Sequence, residues 1–158
     1  MTRLSMLWIV AALVGAVATT PAHAAGNVLY LNRCAGDCVV TQGADDARAN
    51  TSSIPTEPGP HTLTEFAWGD AQWAALVTCV REVYSPYDIE VTDVDPGINV
   101  QYNEQMVAGL GGQLGRSDAG GISPGVLCNM AVNNTITFTF ANGYGGSGKQ
   151  QVDTLCYV

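Results

Sequence analysis

Along this chain the apolar positions change their spacing several times, and each change predicts an element. The run "NVLYLNRC" (27–34) is short, apolar and rich in strand formers, so it predicts a first strand that closes on Cys34-Ala-Gly-Asp-Cys38 as a tight turn. From Thr41 to Thr62, Asp45, Asp46, Asn50, Ser52, Ser53 and three prolines supply turn chemistry with almost no apolar period, which predicts loop. In "WGDAQWAALVTCVREVYSP" (68–86), Trp73, Leu76, Val77, Val80, Val83 and Tyr84 recur at helical spacing, with Asp70 in the first turn and Pro86 as the stop. "DIEVTDVDPG" (88–97) follows as a strand with Ile89 and Val91 on one face, ended by Pro96-Gly97. Strand, helix and strand in that order predict a parallel pair joined by a crossover helix.

Further on, "NEQMVAGLGG" (103–112) predicts a short strand, and "AGGISPG" (119–125) has room for an irregular edge strand. "NTITFTFAN" (134–142) alternates Ile136, Phe138 and Phe140 with Thr135, Thr137 and Thr139, the period of a strand packed on one face. A glycine loop (143–150) then leads to Val152, Leu155 and Cys156, which share one side of a helix, so the last residues predict the opening turns of a core-facing helix. The predicted fold class is α/β with α+β character: a mixed, mostly parallel twisted sheet with one long crossover helix.

The N-terminus changes the picture of where this happens. "MTRLSMLWIVAALVGAVATTPAHA" has Arg3, an apolar run from Leu4 to Val17 and small residues at Ala22 and Ala24, the pattern of a secretory signal peptide cleaved after Ala24. Thr19, Thr20 and Pro21 break the run short of a membrane span. Residues 25–158 are one domain's worth of chain, placed in a secreted or periplasmic compartment with no membrane attachment after cleavage. Arg33, Arg48, Arg81, Arg116 and Lys149 stand there against fourteen acidic residues with no basic cluster, which argues against nucleic acid as a partner.

All five cysteines lie in the exported part, where disulfides are the default. The expected pairs are Cys34 with Cys38 and Cys128 with Cys156, leaving Cys79 as an unpaired thiol in the middle of its helix. Cys34-x-x-x-Cys38 lacks the second ligand pair that zinc needs. His61 is the one histidine of residues 25–158, so no His-x-x-His or Ser-His-Asp set can be assembled from them. Asp93 and Asp95 precede Pro96-Gly97 and read as a capped strand end rather than a calcium loop. "GYGGSGKQ" (143–150) matches G-x-G-x-x-G, but Gln150 replaces the hydroxyl residue of a phosphate loop, and a flexible surface loop is the better reading.

"YLNRCAGDC", "WGDAQWAALVTCVREVYSPYDIEVTDVDPG" and "TITFTFAN" together resemble the N-terminal subdomain of secreted bacterial zincin metallopeptidases of the metzincin type, over residues 27–158. The resemblance implies that "AGGISPG", with Gly121, Ile122 and Ser123, is the antiparallel edge strand that pairs with an extended peptide or protein substrate. It also implies that the next element after "TITFTFAN" is the active-site helix, whose two histidines bind zinc around a general-base glutamate. That helix begins near Gln150, and no such residue falls within 150–158. The expectation is therefore a domain truncated at the start of its active-site helix: inactive as it stands, with no catalytic or metal residue and no cofactor, zinc belonging only to a full-length version. The alternative is a complete secreted, non-catalytic binding domain. A sheet without the rest of that helix is expected to leave Ile136, Phe138 and Phe140 partly in water.

Overall fold

The computed structural model describes residues 28–125, 132–146 and 148–157; the predicted signal peptide and Cys128 lie outside the described residues. Strands β1 (Val28–Asn32), β5 (Glu90–Thr92), β6 (Asn103–Val107), β7 (Gly121–Ile122) and β8 (Ile136–Thr139) form one sheet in the order β5-β1-β6-β8-β7. β1 runs parallel to both β5 and β6, β6 runs parallel to β8, and β7 alone is antiparallel. The described residues are thus mixed α/β, with a mixed, mostly parallel sheet and two α-helices, α1 (Gly69–Tyr84) and α2 (Lys149–Cys156).

Helix α1 forms where the spacing predicts it, burying Trp73, Leu76, Val77 and Val80 on one side. It lies in the connection between β1 and its parallel neighbour β5. Strand β5 is shorter than 88–97: Val91 is buried and Ile89 is exposed.

The segment 41–62 is not loop throughout. Strands β2 (Cys38–Gln42), β3 (Thr51–Ser52) and β4 (Pro60–Leu63) make a second sheet in the order β3-β2-β4, with β2 parallel to β3 and antiparallel to β4. Each of these strands has just one buried residue, Val40, Ser52 or Leu63. One inward position per strand leaves no period to read, so turn residues dominate the pattern.

This small sheet covers one face of the large one. Val28, Met106, Ile136, Phe138 and Phe140 pack there with Val40, Ile54, Leu63 and Leu114. Leu31, Val91 and Val107 point to the other face, against α1 and against Val152 and Leu155 of α2. The expected exposure of Ile136, Phe138 and Phe140 is therefore wrong: they are 0, 1 and 2 % exposed. Their side of β8 faces away from the helices, so how much helix follows β8 does not decide their burial. The residues of β8 on the helix side are Thr137 and Thr139.

The structure also corrects the disulfides. Cys34 and Cys38 are joined, but Cys156 is joined to Cys79, across a sequence separation of 77, and not to Cys128. Cys79 is consequently no free thiol. It sits on the flank of α1 beside α2, where the last turn of α2 brings Cys156 within a Cα separation of 6.1 Å. Helical spacing alone places Cys79 near the buried side without saying which element lies against it.

Non-reducing peptide mapping should therefore recover the Cys79 and Cys156 peptides as one species. The double variant C79A/C156A should lose about 2–4 kcal/mol in urea unfolding, as expected for a cross-link closing a long loop. Recovery of Cys156 bonded to Cys128 would overturn this pairing.

Candidate functional site

The two edges of the large sheet differ. At the β5 edge, Arg81 reaches from α1: its Nε donates to the Val91 carbonyl at 3.1 Å and its Nη2 to Asp93 Oδ1 at 3.0 Å. A charged side chain on the outer carbonyl blunts that edge. Asp95 Oδ1 accepts from the Gly97 backbone N–H at 2.7 Å, so Asp93 and Asp95 are engaged in an ion pair and a turn.

At the other edge, Gly121 lies opposite Thr139 and Ile122 opposite Phe138. The Phe140 N–H donates to the Gly120 carbonyl at 2.8 Å. Because antiparallel residues alternate between facing their partner and facing away, Gly120 and Ile122 turn their backbone groups to β8, and Gly121 and Ser123 turn theirs outward. Gly121 and Ser123 are exposed. This edge is held in place by close backbone packing. A Cβ on Gly111 would come within 2.1 Å of the Arg116 carbonyl, and one on Gly120 within 2.3 Å of the Tyr144 hydroxyl. The Arg116 Nε in turn donates to the Ile54 carbonyl at 3.0 Å, tying the loop before β7 to the small-sheet side. Gly121, Ile122 and Ser123 are thus together on the sheet's outermost, antiparallel strand and its immediate continuation.

Beside β7 opens a cleft of about 230 Å³ lined by Gln105, Gly121, Ile122, Ser123, Thr137, Phe138 and Thr139. Its polar floor is a connected set. Gln105 Nε2 donates to Thr139 Oγ1 at 2.8 Å, and the Thr137 hydroxyl donates to Gln105 Oε1. Thr139 also lines the small cavity beneath Leu155 and Cys156, so the polar stripe begins where the cover of α2 ends.

On the opposite face sits a group that sequence reasoning missed. Glu104 is 1 % exposed; Asn32 Nδ2 donates to its Oε1 at 2.7 Å, and its Oε2 has no hydrogen-bond partner among the described residues. Asn32 Oδ1 accepts from the Cys34 backbone N–H at 2.7 Å, linking this carboxyl to the Cys34–Cys38 turn. Tyr30 and Tyr102 meet edge to face nearby, their centroids 5.8 Å apart. Burial raises the Glu104 pKa to about 7, with the Asn32 hydrogen bond opposing and the Asp95 charge adding to it. Burial, then the Glu104 charge, pushes both tyrosines to about 12. The signal was present: in "NEQMV" Glu104 shares strand parity with Met106, which is fully buried.

The remaining sequence candidates are dispersed. The His61 ring nitrogens lie 2.8 Å from the Glu57 carbonyl oxygen and 3.2 Å from that of Gln113. Lys149, at the end of the glycine loop, pairs with Asp153 one turn along α2 at 2.7 Å. Among the described residues no group of three or more His, Cys, Asp or Glu is placed to hold a metal ion, and no helix is long and apolar enough to cross a membrane. Compared with known proteins, the chain matches no family model, no curated relative and no solved structure.

Glu104 makes a pH prediction. Its folded pKa of about 7 lies above the ordinary 4.5, so the folded state holds this proton more tightly than the unfolded state. The stability it contributes is complete below pH 4.5 and is lost as the pH rises through 7, by about 3 kcal/mol in all. Urea unfolding between pH 4.5 and 8 should show this fall in the wild type and a nearly flat curve in E104Q. Parallel curves for the two proteins would remove Glu104 from the account.

Proposed function

We propose that this domain captures an extended peptide by strand addition to β7, the part that the N-terminal half of an exported zincin-type metallopeptidase plays towards its substrate. The observation that carries the reading is the contrast between the edges: Arg81 blocks β5, whereas the outward backbone groups of Gly121 and Ser123 stand beside an open cleft. An exposed edge with unpaired N–H and C=O groups is a template for another strand. The order of elements supports it too, since a helix follows β8 as the zinc helix follows the corresponding strand in the resemblance. The two disulfides fit an oxidising, exported setting.

The residues present do not fit zinc. Helix α2 reads KQQVDTLC, with neither histidine nor glutamate, and Cys156 is committed to a disulfide. We therefore assign peptide capture, and no hydrolytic step, to the residues of this sequence. The second reading is a non-catalytic secreted binding domain, and capture on β7 is common to both.

The test uses a randomised library of end-capped nonapeptides, with hits resynthesised and titrated by calorimetry. Binders should be extended peptides, intact after incubation. G121P deletes an outward-facing N–H while sparing the bonds to β8, and it should weaken binding about five- to tenfold with an unchanged melting transition. Binding that G121P leaves untouched would place the peptide elsewhere and sink the reading.

A further inference from the structure

The cleft beside β7 asks what side chain a captured strand would place in it. Opposed residues on neighbouring strands project to the same face, so a peptide residue opposite Gly121 projects towards the side of the sheet that bears Thr139. Gly121 has no side chain of its own to stand between that residue and the polar floor. The route from the outer edge to Gln105, Thr137 and Thr139 therefore passes over a bare backbone position.

The hydrogen-bond inventory of that floor is specific. Gln105 Nε2 has two hydrogens and gives one to Thr139 Oγ1, which leaves one directed elsewhere. The Thr139 hydroxyl accepts that bond and keeps its own hydrogen. The Thr137 hydroxyl has one hydrogen for two acceptors, Gln105 Oε1 and the Glu104 carbonyl at 3.2 Å, and keeps an oxygen able to accept. The floor thus offers two donors and one acceptor in a small cleft. Among the described residues no basic side chain lines it, and the chain as a whole has a net charge of −8.

We propose that this cleft is a side-chain subsite for a carboxamide, so that the domain selects glutamine or asparagine at the peptide position opposite Gly121. The proposal rests on strand addition to β7. A carboxamide oxygen takes both donors and its NH₂ serves Thr137. A carboxylate also takes the donors, but it loses water in a negatively charged protein with no cation to replace it, and it faces the Thr137 oxygen. An aliphatic side chain leaves both donors unpaired, the situation that polar sites discriminate against most strongly. A lysine brings donors to a floor that is already donor-rich.

The experiment takes one resynthesised nonapeptide that binds and replaces each position in turn by Gln, Glu, Leu and Lys. At a single position Gln should exceed Leu and Glu by about tenfold or more in affinity, with the other positions indifferent. In T139V, and separately in Q105M, the preference for Gln over Leu at that position should collapse, because the Gln peptide loses its partners. The two substitutions keep close to the original volume, and an unchanged melting transition shows that neither variant has lost its fold. Peptides that bind with G121P sensitivity but show no Gln preference would overturn the subsite and leave strand addition standing. Peptides whose binding ignores G121P would overturn both.

Discussion

A mostly parallel sheet has to be covered on both faces, and in this protein the two covers are made of different material. The alternation in β8 decides the assignment. Ile136 and Phe138, with Phe140 just beyond the strand, take the face under the small β2–β3–β4 sheet, and Thr137 and Thr139 take the face under the helices. Burying each of the three apolar side chains contributes about 1.5–3 kcal/mol. That layer is complete without either helix. The helix face is built separately, from Leu31, Val91 and Val107 against α1 and α2, with the Cys79–Cys156 bond holding the helices side by side.

What the two covers leave open is where chemistry can happen. The helices cover the β1 and β5 side of the sheet and stop short of β7, and the last positions they leave carry Gln105 and the two threonines instead of aliphatic residues. An apolar stripe there would be a lasting exposed liability; a self-bonded polar stripe tolerates water. At the far edge the protein spends Arg81 on blocking the strand. At β7 no comparable side chain among the described residues stands in the way of pairing. Glu104 is the converse case, a carboxyl carried under the small-sheet cover by strand parity and kept there by one bond from Asn32.

Long periodic segments were legible from the residues: α1 from its helical spacing and β8 from its alternation. The second sheet was not, because strands with a single buried position leave no repeating signal and their register comes from tertiary pairing. The same limit explains the disulfide error. Cys79 and Cys156 meet because two helices pack side by side, and spacing along each helix does not carry that neighbour. The polar floor of the cleft was present in "TITFTFAN", where the threonines read as a solvent face; their bonds to Gln105 exist only once β6 lies beside β8.

Peptide capture requires β7 to be paired on one side and open on the other, which amide hydrogen exchange reads residue by residue. In the free protein Ile122 should be protected by its pairing with Phe138, while Gly121 and Ser123 exchange as exposed amides. Saturation with a captured nonapeptide should slow Gly121 and Ser123 and leave Ile122 nearly unchanged. Protection of Gly121 and Ser123 before any peptide is added, or fast exchange at Ile122, would contradict it.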